Sequence, residues 1–265
     1  MVGFFIESFL YFVTFVYMRI NQFLDATYLK TASQANITEE ENQQKVVNLI
    51  NEAIQFEYKL VMIRAKYIPL AKEMLQKAKA KILIGTVIGF HEGNYATKTK
   101  LKEAEQAIEI GADELDFVIN YKAFKQGNIK LVQEEVTKGL ILCLKNKKVV
   151  KWIIEVAALT EKEIVVISQL IKEIVFSKFG EEHAKNVFVK SSTGFFKTKN
   201  NLPNGATLET MKLIAEHAKP LKIKAAGGVR DYETALKMIS LGVDRIGTSS
   251  SKEIINKEQT SKSEY

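Results

Sequence analysis

Cysteine is almost missing from this 265-residue chain: Cys143 is the only one, so no intramolecular disulfide framework holds the fold together. Its place in "KGLILCLKNKK" reads as a small core residue, and a lone thiol fits a reducing compartment, the cytoplasm. Histidine is scarce as well, and His91, His183 and His217 are scattered without ligand spacing, so no metal site is expected. No Pro/Gly/Ser-rich stretch marks a linker, which leaves one domain. Lysine and arginine outnumber acids by 38 to 31, yet the basic residues are spread along the chain rather than massed in a stripe, which argues against a nucleic-acid partner.

Long hydrophobic runs are absent too, with one exception. Residues 1–17 are aromatic and apolar, interrupted by Glu7, and have neither the basic leading region nor the small-residue cleavage site of a signal peptide. They are also shorter than the roughly 20 residues a membrane span needs. The favoured reading is a start-site extension ahead of Met18, with an amphipathic docking helix and a membrane anchor as alternatives. A membrane partner is not expected.

What the chain does have is alternation. Strand-like runs, "QFLD", "KLVMIR", "KILIGTVIGF", "ADELDFVIN", "VVKWIIEVA", "NVFVKSS", "LKIKAAGG" and "VDRIGTS", are separated by helical patterns. Thr38 is expected to cap one helix, ahead of three acids, and Thr160 with Glu163 to form a capping box on another. Eight such units predict an α/β fold, a single (β/α)8 TIM barrel over residues 18–256, followed by a polar tail, 257–265.

Active sites of such barrels gather at the C-terminal ends of the strands. Lys190 and Lys224 are placed there on strands six and seven, Asp116 within strand four and Glu155 at the end of strand five. An ammonium at the end of an apolar strand is costly unless its pKa falls or it finds a use. Neighbouring parallel strands lie about 5 Å apart, so the two ammonium groups repel and one deprotonates more easily. A neutral amine can attack a carbonyl to form a Schiff base. Gly227 and Gly228 after strand seven, and Ser249 and Ser250 after strand eight, occupy the loops where such barrels hold phosphate.

In their order and spacing, "GADELDFVIN", "FVKSSTGF", "IKAAGGVR" and "RIGTSS" resemble the 2-deoxy-D-ribose-5-phosphate aldolase family over residues 20–265. That resemblance implies an imine on Lys190, a pKa-lowering cation at Lys224, a proton-relay carboxylate at Asp116 and a terminal tyrosine, Tyr265, that folds over the site. It further implies substrate and phosphate contacts from Gly194, Gly227, Gly228, Ser249, Ser250, Asp25 and Thr27. The implied reaction is reversible cleavage of 2-deoxyribose 5-phosphate to glyceraldehyde 3-phosphate and acetaldehyde, with no cofactor and a homo-oligomer, a dimer, as the assembly.

Three positions depart from the family pattern. Met62 stands where a cysteine is common, Val156 where a threonine follows the glutamate, and Phe195 where some members have lysine. The long segment "FFKTKNNLPNGAT" is read as adding a flap or contributing Lys197. Two alternatives stay open: another phosphorylated sugar as substrate, or a catalytically silent, membrane-associated barrel.

Overall fold

Eight parallel strands close on themselves in sequence order: β1 (Leu24–Tyr28), β2 (Leu60–Ile63), β3 (Leu83–Ile88), β4 (Glu114–Val118), β5 (Val149–Ile153), β6 (Val187–Lys190), β7 (Lys222–Ala226) and β8 (Arg245–Thr248). This is the architecture of the computed structural model, which describes residues 19–200 and 202–257. Both the 1–17 extension and Tyr265 lie outside the described residues. Among those residues no helix is long and apolar enough to cross a membrane.

The outer layer contains α1 (Ala32–Ala35), α2 (Glu39–Phe56), α3 (Ile68–Lys77), α4 (Thr97–Glu109), α5 (Tyr121–Lys125), α6 (Ile129–Lys145), α7 (Glu161–Lys178), α8 (Leu208–Ala218), α9 (Tyr232–Ser240) and α10 (Ser251–Asn256). Both expected caps are present. Thr38 accepts from the Glu41 N–H at the start of α2, Thr160 accepts from the Glu163 N–H at the start of α7, and each glutamate side chain returns the bond to the cap backbone. The acids of both first turns also offset the positive end of the helix dipole.

Between barrel and helices the core is apolar and close-packed. Trp152 of β5 is fully buried, 5.0 Å from the Phe117 ring of β4. It fits beneath α6 because residue 139 is glycine, where an added Cβ would lie 2.6 Å from the Trp152 ring. Gly139→Ala therefore sets two effects against each other: about 1 kcal/mol of better helix propensity and about 1–3 kcal/mol of overpacking. Overpacking wins, so denaturant titration is expected to show a net loss of stability. Cys143 lies on the same helix, fully buried, with its thiol pushed up to about 12 by burial.

The register of the strands sorts the site residues by depth. Lys190 ends β6 as expected and is paired with Lys224, whereas Lys224 is in the middle of β7, two residues before its end. Glu155 does not end β5, which stops at Ile153; it sits beyond the strand in a left-handed conformation, φ 59°.

Candidate active site

Strand pairing brings Asp116 opposite Lys151, Lys190 opposite Lys224, and Lys224 opposite Arg245. Residues paired in register share a face, and this face is the barrel interior. The result is a buried cluster of four basic groups, Lys151, Lys190, Lys224 and Arg245, with three carboxylates, Asp25, Glu114 and Asp116. Asp116 is the hub. Its Oδ2 is 2.8 Å from Lys190 Nζ and 3.0 Å from Lys224 Nζ, and its Oδ1 is 2.9 Å from Lys151 Nζ. Deeper in the barrel, Asp25 is 2.5 Å from Lys224 and 3.1 Å from Arg245, while Glu114 is 2.5 Å from Lys151 and 2.7 Å from Arg245.

The count explains the protonation. Three carboxylates can balance three cations, and a fourth positive charge in a water-poor interior is unfavourable. Lys190, nearest the opening, is the surplus one. Burial chiefly pulls its pKa down to about 8; Asp116 opposes that, and Lys224 and Lys151 push it further down. The neighbouring-lysine effect expected from the sequence is therefore present but smaller than desolvation. For Asp116, burial acts to raise the pKa but is outweighed by Lys151, Lys190 and Lys224, which hold it well below the usual carboxylate range. Lys151 is likewise kept protonated: burial disfavours its charge, but Asp116, Glu114 and Asp25 raise its pKa.

Above Lys190 opens a cavity of about 240 Å³, lined by residues that include Thr27, Thr193, Gly194, Phe195, Gly227, Gly228, Ser249 and Ser250. Asp25, expected among the substrate contacts, is fully buried and does not line it; it belongs to the ion cluster, on Lys224 and Arg245. Two cations that the sequence reading passed over, Lys30 and Arg230, also line the cavity. Met62 is absent from the wall. It is fully buried in β2, with its Cε close to the space above Gly85.

One wall of the cavity is the connection between β6 and α8. It is laid against the β7 loop so closely that a Cβ on Gly205 would fall 2.4 Å from the Gly227 carbonyl oxygen. The Ala206 N–H donates to the Ala226 and Gly227 carbonyls at 3.1 and 2.7 Å, and the Asn204 side-chain amide donates to the Gly194 carbonyl at 3.0 Å. Glu155, expected to join the lysines, bonds this loop instead: its carboxyl lies 2.5 Å from Ser192 Oγ and 2.5 Å from Thr193 Oγ1. In turn the Gly194 N–H donates to Ser192 Oγ and the Phe195 N–H to Thr193 Oγ1. The Gly194 amide is thus already committed within the loop. Phe195 packs edge-on to Phe90, with centroids 5.0 Å apart, and stacks on His91 at 5.4 Å.

An amine with its pKa lowered to about 8, beside a buried carboxylate and at the floor of a cavity, is what imine chemistry on a carbonyl compound requires. Comparison with known proteins agrees. A family model described as DeoC/LacD family aldolase matches residues 24–248. The chain belongs to that family.

Similar members of this aldolase family include deoxyribose-phosphate aldolase of Thermococcus gammatolerans, 38% identical over 90% of this chain and 96% of that protein. The same-named enzyme of Mycoplasma capricolum is 36% identical over 94% of this chain and 99% of its own. Among solved structures, one described as an aldolase superposes with a TM-score of 0.74 at 32% identity, covering 89% of this chain and 94% of its own. A tetrameric deoxyribose phosphate aldolase from Aeropyrum pernix gives 0.70 at 27% identity, with 89% of each chain covered.

Proposed function

We infer that this chain is a Schiff-base aldolase that reversibly cleaves 2-deoxy-D-ribose 5-phosphate to glyceraldehyde 3-phosphate and acetaldehyde. The observation that carries this reading is Lys190: an amine with a pKa near 8 at the floor of the cavity, 2.8 Å from Asp116.

Lys190 Nζ attacks C1 of the open-chain sugar. Loss of water gives the protonated imine, an electron sink. A base removes the C3 hydroxyl proton, the C2–C3 bond breaks towards the imine, and glyceraldehyde 3-phosphate leaves. Protonation of the enamine at C2, then hydrolysis, releases acetaldehyde and the free lysine. Asp116 and Lys224, 3.0 Å apart, form the proposed proton relay, through a water. Tyr265 is the proposed proton carrier at C2. Gly227, Gly228, Ser249 and Ser250 are assigned to the phosphate, joined by Arg230 and Lys30, which line the same cavity. Thr27 is assigned to the sugar, and Gly194 contributes room rather than a free amide.

The proposed assembly is a homodimer in the cytoplasm, a compartment that fits the free, buried Cys143. Light scattering on the purified chain checks the first point, and any other mass corrects it.

The test of function is borohydride trapping with 2-deoxyribose 5-phosphate followed by peptide mass spectrometry. A reduced adduct on Lys190, absent from Lys190→Ala, is the expected result. No adduct on any lysine at saturating substrate overturns the assignment. Initial trapping with acetaldehyde is expected to rise through pH 8 as Lys190 loses its proton; a flat profile from pH 6 to 10 contradicts the assigned pKa.

A further inference from the structure

Ser192 Oγ has one hydrogen to give and two places that need it. It lies 2.5 Å from Glu155 Oε1 and 2.6 Å from the Asn204 carbonyl oxygen, while it accepts the Gly194 N–H at 3.1 Å. A hydrogen shared between two acceptors lengthens both contacts, yet both are at the short end for O–H···O bonds. The carbonyl has no proton to offer. A second hydrogen, on Glu155 Oε1, would satisfy both contacts.

With that proton every partner is matched. Glu155 Oε1–H donates to Ser192 Oγ, and the Ser192 hydroxyl donates to the Asn204 carbonyl. Glu155 Oε2 accepts from Thr193 Oγ1 at 2.5 Å and from the Thr193 N–H at 3.3 Å, and Thr193 Oγ1 accepts the Phe195 N–H at 3.0 Å.

We propose that Glu155 acts as a neutral carboxylic acid, a positioning residue whose proton fastens the wall of the cavity formed by Thr193, Gly194, Phe195 and Asn204. It touches neither the lysines nor the cavity, and the proposal rests on the aldolase reading above. The surroundings favour the neutral form. Glu155 is 1% exposed, and burial raises its pKa despite the hydroxyls and Lys190. The titratable groups facing it are Lys190 on β6 and Tyr121 at the start of α5, the latter a phenol pushed up to about 12 and so uncharged at neutral pH. Ionisation of Glu155 would set an acceptor against Ser192 with no hydrogen between them and loosen the wall, while leaving Lys190 chemistry intact.

Three variants and one spectrum test this in the full chain. Glu155→Gln supplies an N–H towards Ser192 and a carbonyl towards Thr193, so KM for 2-deoxyribose 5-phosphate is expected within roughly threefold of wild type. Glu155→Ala leaves the hydroxyls unmatched and is expected to raise KM by about 10- to 100-fold. Glu155→Asp, too short to reach both hydroxyls, should behave like alanine. Borohydride trapping of acetaldehyde, which carries no phosphate, is expected on Lys190 at the wild-type rate in all three, and this separates a failed wall from a failed aldolase. An infrared difference spectrum of wild type minus Glu155→Gln is expected to show the carbonyl stretch of a protonated acid at neutral pH. A carboxylate band in its place, or a KM for Glu155→Gln raised as far as that of Glu155→Ala, overturns the proposal.

Discussion

Lys190→Ala is expected to lower kcat for sugar-phosphate cleavage by about 10⁴-fold or more, the scale on which an enzyme fails when its covalent nucleophile is deleted. Neither of the other two lysines of the cluster can substitute. Lys151 is bound to Glu114 and Asp116 and held protonated, and Lys224 is fixed between Asp25 and Asp116 below the cavity floor. The same change should not cost stability, because Asp116 keeps both Lys151 and Lys224 when Lys190 goes. Its sign follows from the lowered pKa. Between the usual lysine value of 10.5 and about 8 the native state binds fewer protons than the unfolded chain, so wild type loses stability as pH falls through that window and does not regain it below. Alanine removes that penalty. Thermal unfolding at pH 7 should therefore place Lys190→Ala level with wild type or above it, and a marked drop would show that Lys190 is a structural ion-pair partner rather than a surplus cation.

Asp116→Asn has the opposite character. It takes the hub from a cluster in which three lysines meet one carboxylate, and breaking a buried network by removing one partner costs about 3–5 kcal/mol. Urea titration measures this. Cleavage is expected to fall by about 10²–10⁴-fold, since removal of the C3 hydroxyl proton loses its relay. Imine formation should move the other way. Without the attraction of Asp116 the pKa of Lys190 drops further below 8, so acetaldehyde trapping in this variant should persist to lower pH than in wild type. Slow turnover with acid-shifted trapping distinguishes a lost relay from a collapsed site, which would lose both.

The eight strands, the Thr38 cap, the Thr160 capping box and the Lys190–Lys224 pairing were legible because each depends on local signals: period-two runs, a threonine ahead of acids or three residues before a glutamate, and lysine in an otherwise apolar strand. Lys151, Glu114 and Arg245 were less visible. Glu114 and Asp116 are two apart on β4 and so share a face, a signal present in "ELDFV"; which face is interior depends on neighbouring strands that the sequence does not show. Asp25 was misplaced for a related reason: its neighbour in register, Gly247, leaves space that Lys224 fills, so Asp25 meets that lysine rather than ligand. Glu155 could not have been assigned to the β6–α8 connection from sequence, because hydroxyl chains between distant loops have no periodicity to read.

The connection between β6 and α8 leaves the barrel at Gly194 and returns at Asn204, and the Asn204 amide ties those two points together at 3.0 Å. Everything between them is an excursion closed at its base. Since the entropy of loop closure grows only with the logarithm of length, residues can be added or removed there at about 0.6 kcal/mol per doubling. The base, with Gly205 against Gly227, admits almost no change. The chain thus separates a base that must be kept from a stretch whose length is free to vary, and the residues of this connection that wall the cavity, Gly194, Phe195 and Asn204, all lie at or beside the base.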